Sequence, residues 1–202
     1  MHAMPSPDYW SEGMGRRALL CGCVVLTLSG IRRIAKAEDE DDPDRKERPQ
    51  LGDLLVYFMG DEQGQVIKPA DLKDGDPPVM AWAYDPAKKV PRDGSRLNLI
   101  LLVRLDPARL AADEQARAAD GIVAYSAICT HQQCPVTEWL ANVDHFRCPC
   151  HQSEYDPSKD AKVVSGPAPR PLPALPLRIA DGKLQVAGSF TGRVGGQPQG
   201  TG

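Results

Sequence analysis

The runs Cys129-Thr130-His131-Gln132-Gln133-Cys134 and Cys148-Pro149-Cys150-His151-Gln152-Ser153 decide how this chain is read. They hold four of its 6 cysteines and two of its 4 histidines, so the two runs are expected to meet and to hold something in common. Stripped to donors they are Cys129-x-His131-x-x-Cys134 and Cys148-x-Cys150-His151, two short loops that each offer thiolate and imidazole to a metal site. Taken alone, these donors leave a zinc-binding structural module open, because Cys129, His131, Cys148 and His151 would suit a tetrahedral ion. That reading gives Cys134 and Cys150 no role.

Working outward, residues 121–128 (GIVAYSAI) form an apolar strand that delivers the chain to Cys129. Earlier stretches at 54–58, 65–68, 79–84 and 97–105 also read as strands, bounded by Gly, Asp and Pro clusters. Residues 107–119, with Pro107 at the start and alanine throughout, are the one credible helix. Downstream, strands at 175–179 and 183–188 flank Asp181-Gly182, a hairpin signature. With 18 Gly and 19 Pro in 202 residues, the chain is expected to be loop-rich and its fold class all-β, one core with a smaller piece attached. The net charge of -3 provides no basic footprint for nucleic acid, and it points to neutral or basic partners.

The N-terminal end reads differently. Arg16-Arg17 precede an apolar run over 18–31, and Ala35-Lys36-Ala37 follows as a small-x-small cleavage pattern. The run is shorter than the roughly 20 residues a spanning helix needs, so 1–37 is expected to be an export signal, with a retained anchor as the alternative. The paired arginines resemble a twin-arginine signal, whose route exports folded proteins and so suits a cofactor inserted in the cytoplasm. Cleavage after Ala37 would remove Cys21 and Cys23 and leave only the cysteines of the two runs. Residues 38–50, charged and proline-bearing, read as a solvated tether. The Gly-rich stretch 191–202 reads as a disordered tail.

The pattern "CTH..C" with "CPCH.S" resembles the Rieske [2Fe-2S] family, since six donors and Pro149 fall in place together. The resemblance implies that Cys129 and Cys148 bind one iron, that His131 and His151 bind the other, and that Cys134 and Cys150 form a disulfide joining the loops. It also implies a Rieske fold over 51–190, an antiparallel base domain with a small cluster-binding subdomain inserted at about 127–156. Replacing two thiolates by neutral imidazoles raises the reduction potential, to between about -150 and +300 mV. Rieske ferredoxins and oxygenase domains ordinarily lack the cysteine pair. Quinol-oxidising cytochrome bc complexes and the small subunit of arsenite oxidase resemble this chain in having it.

In the quinol-oxidising group the Ser and Tyr of a "CPCHxSxY" run donate hydrogen bonds to a bridging sulfide and to a cysteine sulfur. Ser153 and Tyr155 occupy those positions here, and donors of this kind raise the potential. Residues 165–173 (SGPAPRPLP) resemble the proline loop that covers the cluster. Two departures stand against these likenesses: Gln132-Gln133 replace a typical Leu-Gly, and Gln152 replaces a common glycine. The approach sequence GIVAYSAICTH resembles that of arsenite-oxidase small subunits instead. The expected protein is therefore a high-potential periplasmic electron carrier with no substrate chemistry of its own, anchored at the inner membrane if the N-terminal segment is retained. Its expected partners are a c-type cytochrome and a quinol-oxidising membrane complex. A large molybdenum subunit, or no fixed partner at all, is the alternative.

Overall fold

Turn residues cut the chain into short strands. The computed structural model describes residues 42–196, which form β1 (Leu54–Tyr57), β2 (Val79–Asp85), β3 (Val90–Pro91), β4 (Ile100–Arg104), β5 (Ile122–Ser126), β6 (Glu138–Leu140), β7 (His145–Arg147), β8 (Glu154–Asp156), β9 (Lys162–Ser165), β10 (Leu177–Ala180) and β11 (Lys183–Val186). One antiparallel sheet runs β10-β11-β1-β2-β4-β5, with β3 on β2, and a second runs β6-β7-β8-β9. The fold is all-β, and the second sheet is inserted between β5 and β10 of the first.

The apolar runs at β4 and β5 have a simple cause. Side chains alternate faces along a strand, and here both faces are buried. Leu101, Val103, Val123 and Tyr125 enter one core while Ile100, Leu102, Ile122 and Ala124 enter another. The first core also contains Cys129, Cys148 and Tyr155, so the strands that support the base sheet also support the cysteine runs. The free edge of β5 is covered by the chain that leads into β10: Ser126 N–H donates to the Pro173 carbonyl at 2.9 Å and Leu175 N–H to the Ala124 carbonyl at 2.8 Å. The base sheet thereby curls back on itself.

Several expectations change. Residues 65–68 contribute only a bridge between Val66 and Val56, not a strand. The helix expected over 107–119 is reduced to a 3₁₀ turn, Pro107–Arg109, and a single helical turn, Ala112–Gln115. Leu110 and Glu114 are drawn inward while the alanines around them stay exposed, and so short a segment has little helical stability of its own. Pairing of β8 with β9 carries the small sheet to Ser165, beyond the expected bound at 156. The second sheet lay hidden because its strands are three or four residues long.

The tether is a correction too. Within the described residues 42–50 it is docked, not solvated. Arg45 makes a bidentate pair with Asp93 at 2.7 and 2.8 Å, and Arg48 donates to the Leu97 carbonyl at 2.6 Å. Buried Arg92 binds Asp53 at 2.5 Å and Glu47 at 2.7 Å. A buried guanidinium needs partners, and a charged segment far away in sequence supplies one of them. Of the expected disordered tail, residues 194–196 are likewise packed, with Val194 in the core that holds Cys129. The expected signal over 1–37, residues 38–41 and residues 197–202 lie outside the described residues. Among the described residues no helix is long and apolar enough to cross a membrane.

Candidate metal centre

The two cysteine runs fold into the same turn. In the first loop Cys129 N–H donates to the Cys134 carbonyl at 2.8 Å, and Gln133 N–H donates to the Cys129 carbonyl at 3.1 Å. In the second, Cys148 N–H donates to the Ser153 carbonyl and Gln152 N–H to the Cys148 carbonyl, both at 2.9 Å. Each turn closes on a glutamine in the left-handed region, Gln133 at φ 59° and Gln152 at φ 57°. The first loop leaves β5 and the second joins β7 to β8, so the base sheet and the small sheet each present one loop.

A disulfide between Cys134 and Cys150 joins the loops, with Cα atoms 6.5 Å apart. The Sγ atoms of Cys134, Cys148 and Cys150 lie within 4.8 Å of one another, but the disulfide removes two of them as donors. Cys129 and Cys148 remain as free, buried thiols. Burial pushes the Cys148 thiol up, backbone N–H groups of Cys150 and His151 draw it down, and the neighbouring Cys129 thiol pushes it up again. The imidazoles of His131 and His151 face each other with ring centroids 4.6 Å apart, nearly perpendicular. His131 is half-buried with its Nδ1 enclosed and unpartnered among the described residues, whereas His151 is exposed.

Tyr155 lies beneath the first loop. Its hydroxyl is 3.1 Å from Cys129 Sγ and accepts the Thr130 N–H at 3.4 Å, which leaves its proton for the sulfur. Burial, and then the contact with Cys129, lifts its phenol well above the usual range, so it stays protonated and able to donate. Ser153 is buried, and its Oγ accepts the Ala168 N–H at 3.1 Å, which leaves the hydroxyl proton uncommitted.

The proline segment 165–173 spans both loops. Gly166, at φ 86°, packs so closely that a Cβ there would sit 2.5 Å from Ser153 Cα. At its other end the Arg170 carbonyl accepts the Thr130 hydroxyl at 2.6 Å.

These donors fit a cluster of mixed ligation. Two buried thiols stand side by side, two imidazoles face each other, an enclosed histidine nitrogen lacks a partner, and a phenol hydrogen-bonds a cysteine sulfur. A model of the Rieske [2Fe-2S] domain matches residues 65–176. The chain belongs to the Rieske [2Fe-2S] family. The cofactor of that family is a [2Fe-2S] cluster, and with it the zinc-binding module falls away.

Among Rieske relatives, the iron-sulfur subunit of the cytochrome bc1 complex of Streptomyces coelicolor is 39% identical over 195 residues, covering 90% of this chain and 53% of that protein. This chain thus spans about half the length of that relative. A putative respiratory nitrate reductase Rieske subunit of Haloferax mediterranei is 38% identical over 174 residues, covering 85% of this chain and 71% of that protein. The soluble domain of Rieske protein II from Sulfolobus acidocaldarius aligns over 48% of this chain and 66% of its own, at 23% identity and a TM-score of 0.36.

Residues other than the cysteine and histidine donors also build the centre. Thr130, fully buried, ties the first loop to the proline segment. Glu114 and Tyr125 brace the stems of both loops from behind. Tyr125 Oη contacts Glu114 Oε1 and lies 2.8 Å from the Pro157 carbonyl, just past β8. A phenol has one proton and Pro157 offers only an acceptor, so a protonated Glu114 completes the chain of donors. Burial pushes Glu114 up to about 7, in keeping with this arrangement. Its signal in the sequence is a lone glutamate among alanines, too weak to be noticed.

Proposed function

We propose that Cys129 and Cys148 ligate one iron of the cluster, that His131 and His151 ligate the other, and that the protein relays single electrons from a quinol-oxidising complex to a c-type cytochrome. The observation that carries this reading is the Tyr155 hydroxyl 3.1 Å from Cys129 Sγ. When bound, the cluster supplies one-electron chemistry. The chain's own residues set its terms. Tyr155 donates to a sulfur and so favours the electron-rich state. The buried thiols, Thr130 and the proline segment exclude water from one side, while the exposed His151 leaves the other side open to a partner.

The identity to the Streptomyces coelicolor bc1 subunit supports the quinol-oxidising role. Visible and EPR spectra of the purified protein, with voltammetry, test it: a Rieske spectrum and a potential in the positive part of the range of about -150 to +300 mV are expected. A potential near the negative end would instead mark a ferredoxin-type carrier.

Two observations favour a second reading, the small subunit of a respiratory reductase. The chain covers 71% of the Haloferax mediterranei protein, and Gln132 puts a polar side chain on the exposed tip of the first loop. Affinity purification of the tagged protein from its own membranes separates the two. A membrane cytochrome in the eluate supports the first, and a large reductase subunit supports the second.

We also infer export to the periplasm by the twin-arginine route, from Arg16-Arg17 ahead of a short apolar run. Replacing both by lysine should leave cluster-loaded protein in the cytoplasm. An unchanged periplasmic yield would remove the idea.

A further inference from the structure

The net charge of -3 suggests a basic partner, yet the charge is unevenly placed. Residues 161–202 hold Lys162, Arg170, Arg178, Lys183 and Arg193 against a single carboxylate, Asp181. The stretches 94–104, 127–137, 146–153 and 161–180, which supply both loops and much of their surroundings, contain no acidic residue.

Six of the described arginines away from the loops are neutralised, while Arg48 and Arg178 bind uncharged oxygens. Arg45, Arg92, Arg104, Arg109, Arg117 and Arg147 each pair with a carboxylate. Those at the first loop bind carbonyl oxygens and keep their charge. Arg96 donates to the Gln133 carbonyl at 3.0 Å. Arg170 donates to the Arg193 carbonyl at 2.5 Å and to the Gly195 carbonyl, which draws the C-terminal segment across the loop. That segment sits so close that a Cβ on Gly196 would lie 2.5 Å from the His131 carbonyl. It brings Arg193, exposed and without an ion pair among the described residues, to the same face.

We infer that Arg96, Arg170 and Arg193 form a basic collar on the first loop, and that this face receives an acidic surface of the protein that exchanges electrons here. The inference rests on the reading that the cluster is held by these loops. At physiological ionic strength fields decay over about 8 Å, so a molecule approaching the tip responds to the collar and not to the carboxylates of the base sheet. Carbonyl partners orient the guanidinium groups of Arg96 and Arg170 without neutralising them. The collar therefore persists while the molecule as a whole is acidic.

The test uses cluster-loaded protein, reduced and mixed with ferricyanide or with tris(phenanthroline)cobalt(III), an anionic and a cationic oxidant. One electron leaves the protein in each case, giving ferrocyanide or the cobalt(II) complex. The ferricyanide rate should fall as salt is added and the cobalt rate should rise, the reverse of what a net charge of -3 dictates. Arg193→Glu should slow ferricyanide about severalfold at low salt. Arg178→Glu, which changes the net charge equally but on β10 of the base sheet, should leave it nearly unchanged. A ferricyanide rate that rises with salt, or an equal response of the two variants, overturns the collar. Protein lacking a Rieske visible and EPR spectrum would instead overturn the cluster reading, and the collar with it.

Discussion

The two loops of the centre share one backbone turn and differ in almost everything around it. Both close a glutamine N–H onto a cysteine carbonyl, at 3.1 Å in the first loop and 2.9 Å in the second. The first loop is walled in: Thr130 is buried and donates to the Arg170 carbonyl, His131 is half-buried, Arg96 donates to the Gln133 carbonyl, and the C-terminal segment packs against the His131 carbonyl. The second is open, with Pro149, Cys150, His151 and Gln152 all exposed. Local sequence builds two equivalent halves, and tertiary packing makes one a wall and the other a door. The difference between them can be attacked at several points, the most damaging first.

The disulfide is the covalent link between unlike loops, so removing it should cost the most. Loss of a native disulfide typically costs about 2–5 kcal/mol, and the open loop has few other contacts to compensate. Replacing Cys134 and Cys150 together by serine should lower the temperature at which visible absorbance bleaches, with faster amide exchange at 148–153 than at 129–133. Equal exchange in the two loops would show that the wall contributes nothing.

Glu114 braces the stems of both loops, and its effect depends on pH. Its folded pKa of about 7 lies above the ordinary 4.5, so the folded state favours the protonated carboxyl. The sign follows from that: stability is fully present below the ordinary value and is lost as pH rises through the folded one. The loss is on the order of 3 kcal/mol. Denaturant unfolding should show stability falling between about pH 5 and pH 8, and Glu114→Gln should flatten the slope. A slope that survives in the variant would assign the titration elsewhere.

Tyr155→Phe acts on one loop alone. It removes the hydrogen bonds to Cys129 Sγ and the Thr130 N–H on the first loop, while Ser153→Ala removes the one between the second loop and the Ala168 N–H, together with the hydroxyl proton left for the cluster. A charge-assisted bond of about 1.5–3 kcal/mol corresponds to roughly 65–130 mV for one electron. Voltammetry should place the Tyr155→Phe variant lower by an amount in that range, and Ser153→Ala lower by tens of millivolts, with the cluster spectrum retained. An unmoved potential in both would remove the tuning role.

What was legible in the sequence follows the range over which each signal acts. The two runs declare themselves because their donors are adjacent in the chain, and β4 and β5 because burial on both faces leaves an unbroken apolar run. The Asp181-Gly182 turn was equally plain: both residues take positive φ, 51° and 70°, between β10 and β11. The small sheet was not legible, since three-residue strands show no periodicity. Nor was the docking of residues 42–50, because Arg92 lies 45 residues from Glu47 and a charge in sequence looks the same whether water or a partner neutralises it. The tail misled for a related reason. Gly195 and Gly196 look like disorder and are instead required by close contact with Gln133 and His131.

The smallest effect is the sharpest probe of the comparison. Gln133 and Gln152 carry the same left-handed strain, φ 59° and 57°. A side chain in that region costs about 1–2 kcal/mol relative to the ordinary basin. Glycine relieves this but gives back about 0.4–1 kcal/mol through a freer unfolded chain, so the net gain should be under about 1 kcal/mol at a position where the side chain does nothing else. Gln152, exposed on the open loop, is such a position. Gln133 is not: its side chain packs against Gly195, which holds the C-terminal segment over the wall. Gln152→Gly should therefore raise the denaturant midpoint slightly, while Gln133→Gly should leave it level or lower it. Equal gains from both would mean that the C-terminal segment adds no stability to the first loop, and that the two loops differ in exposure without differing in support.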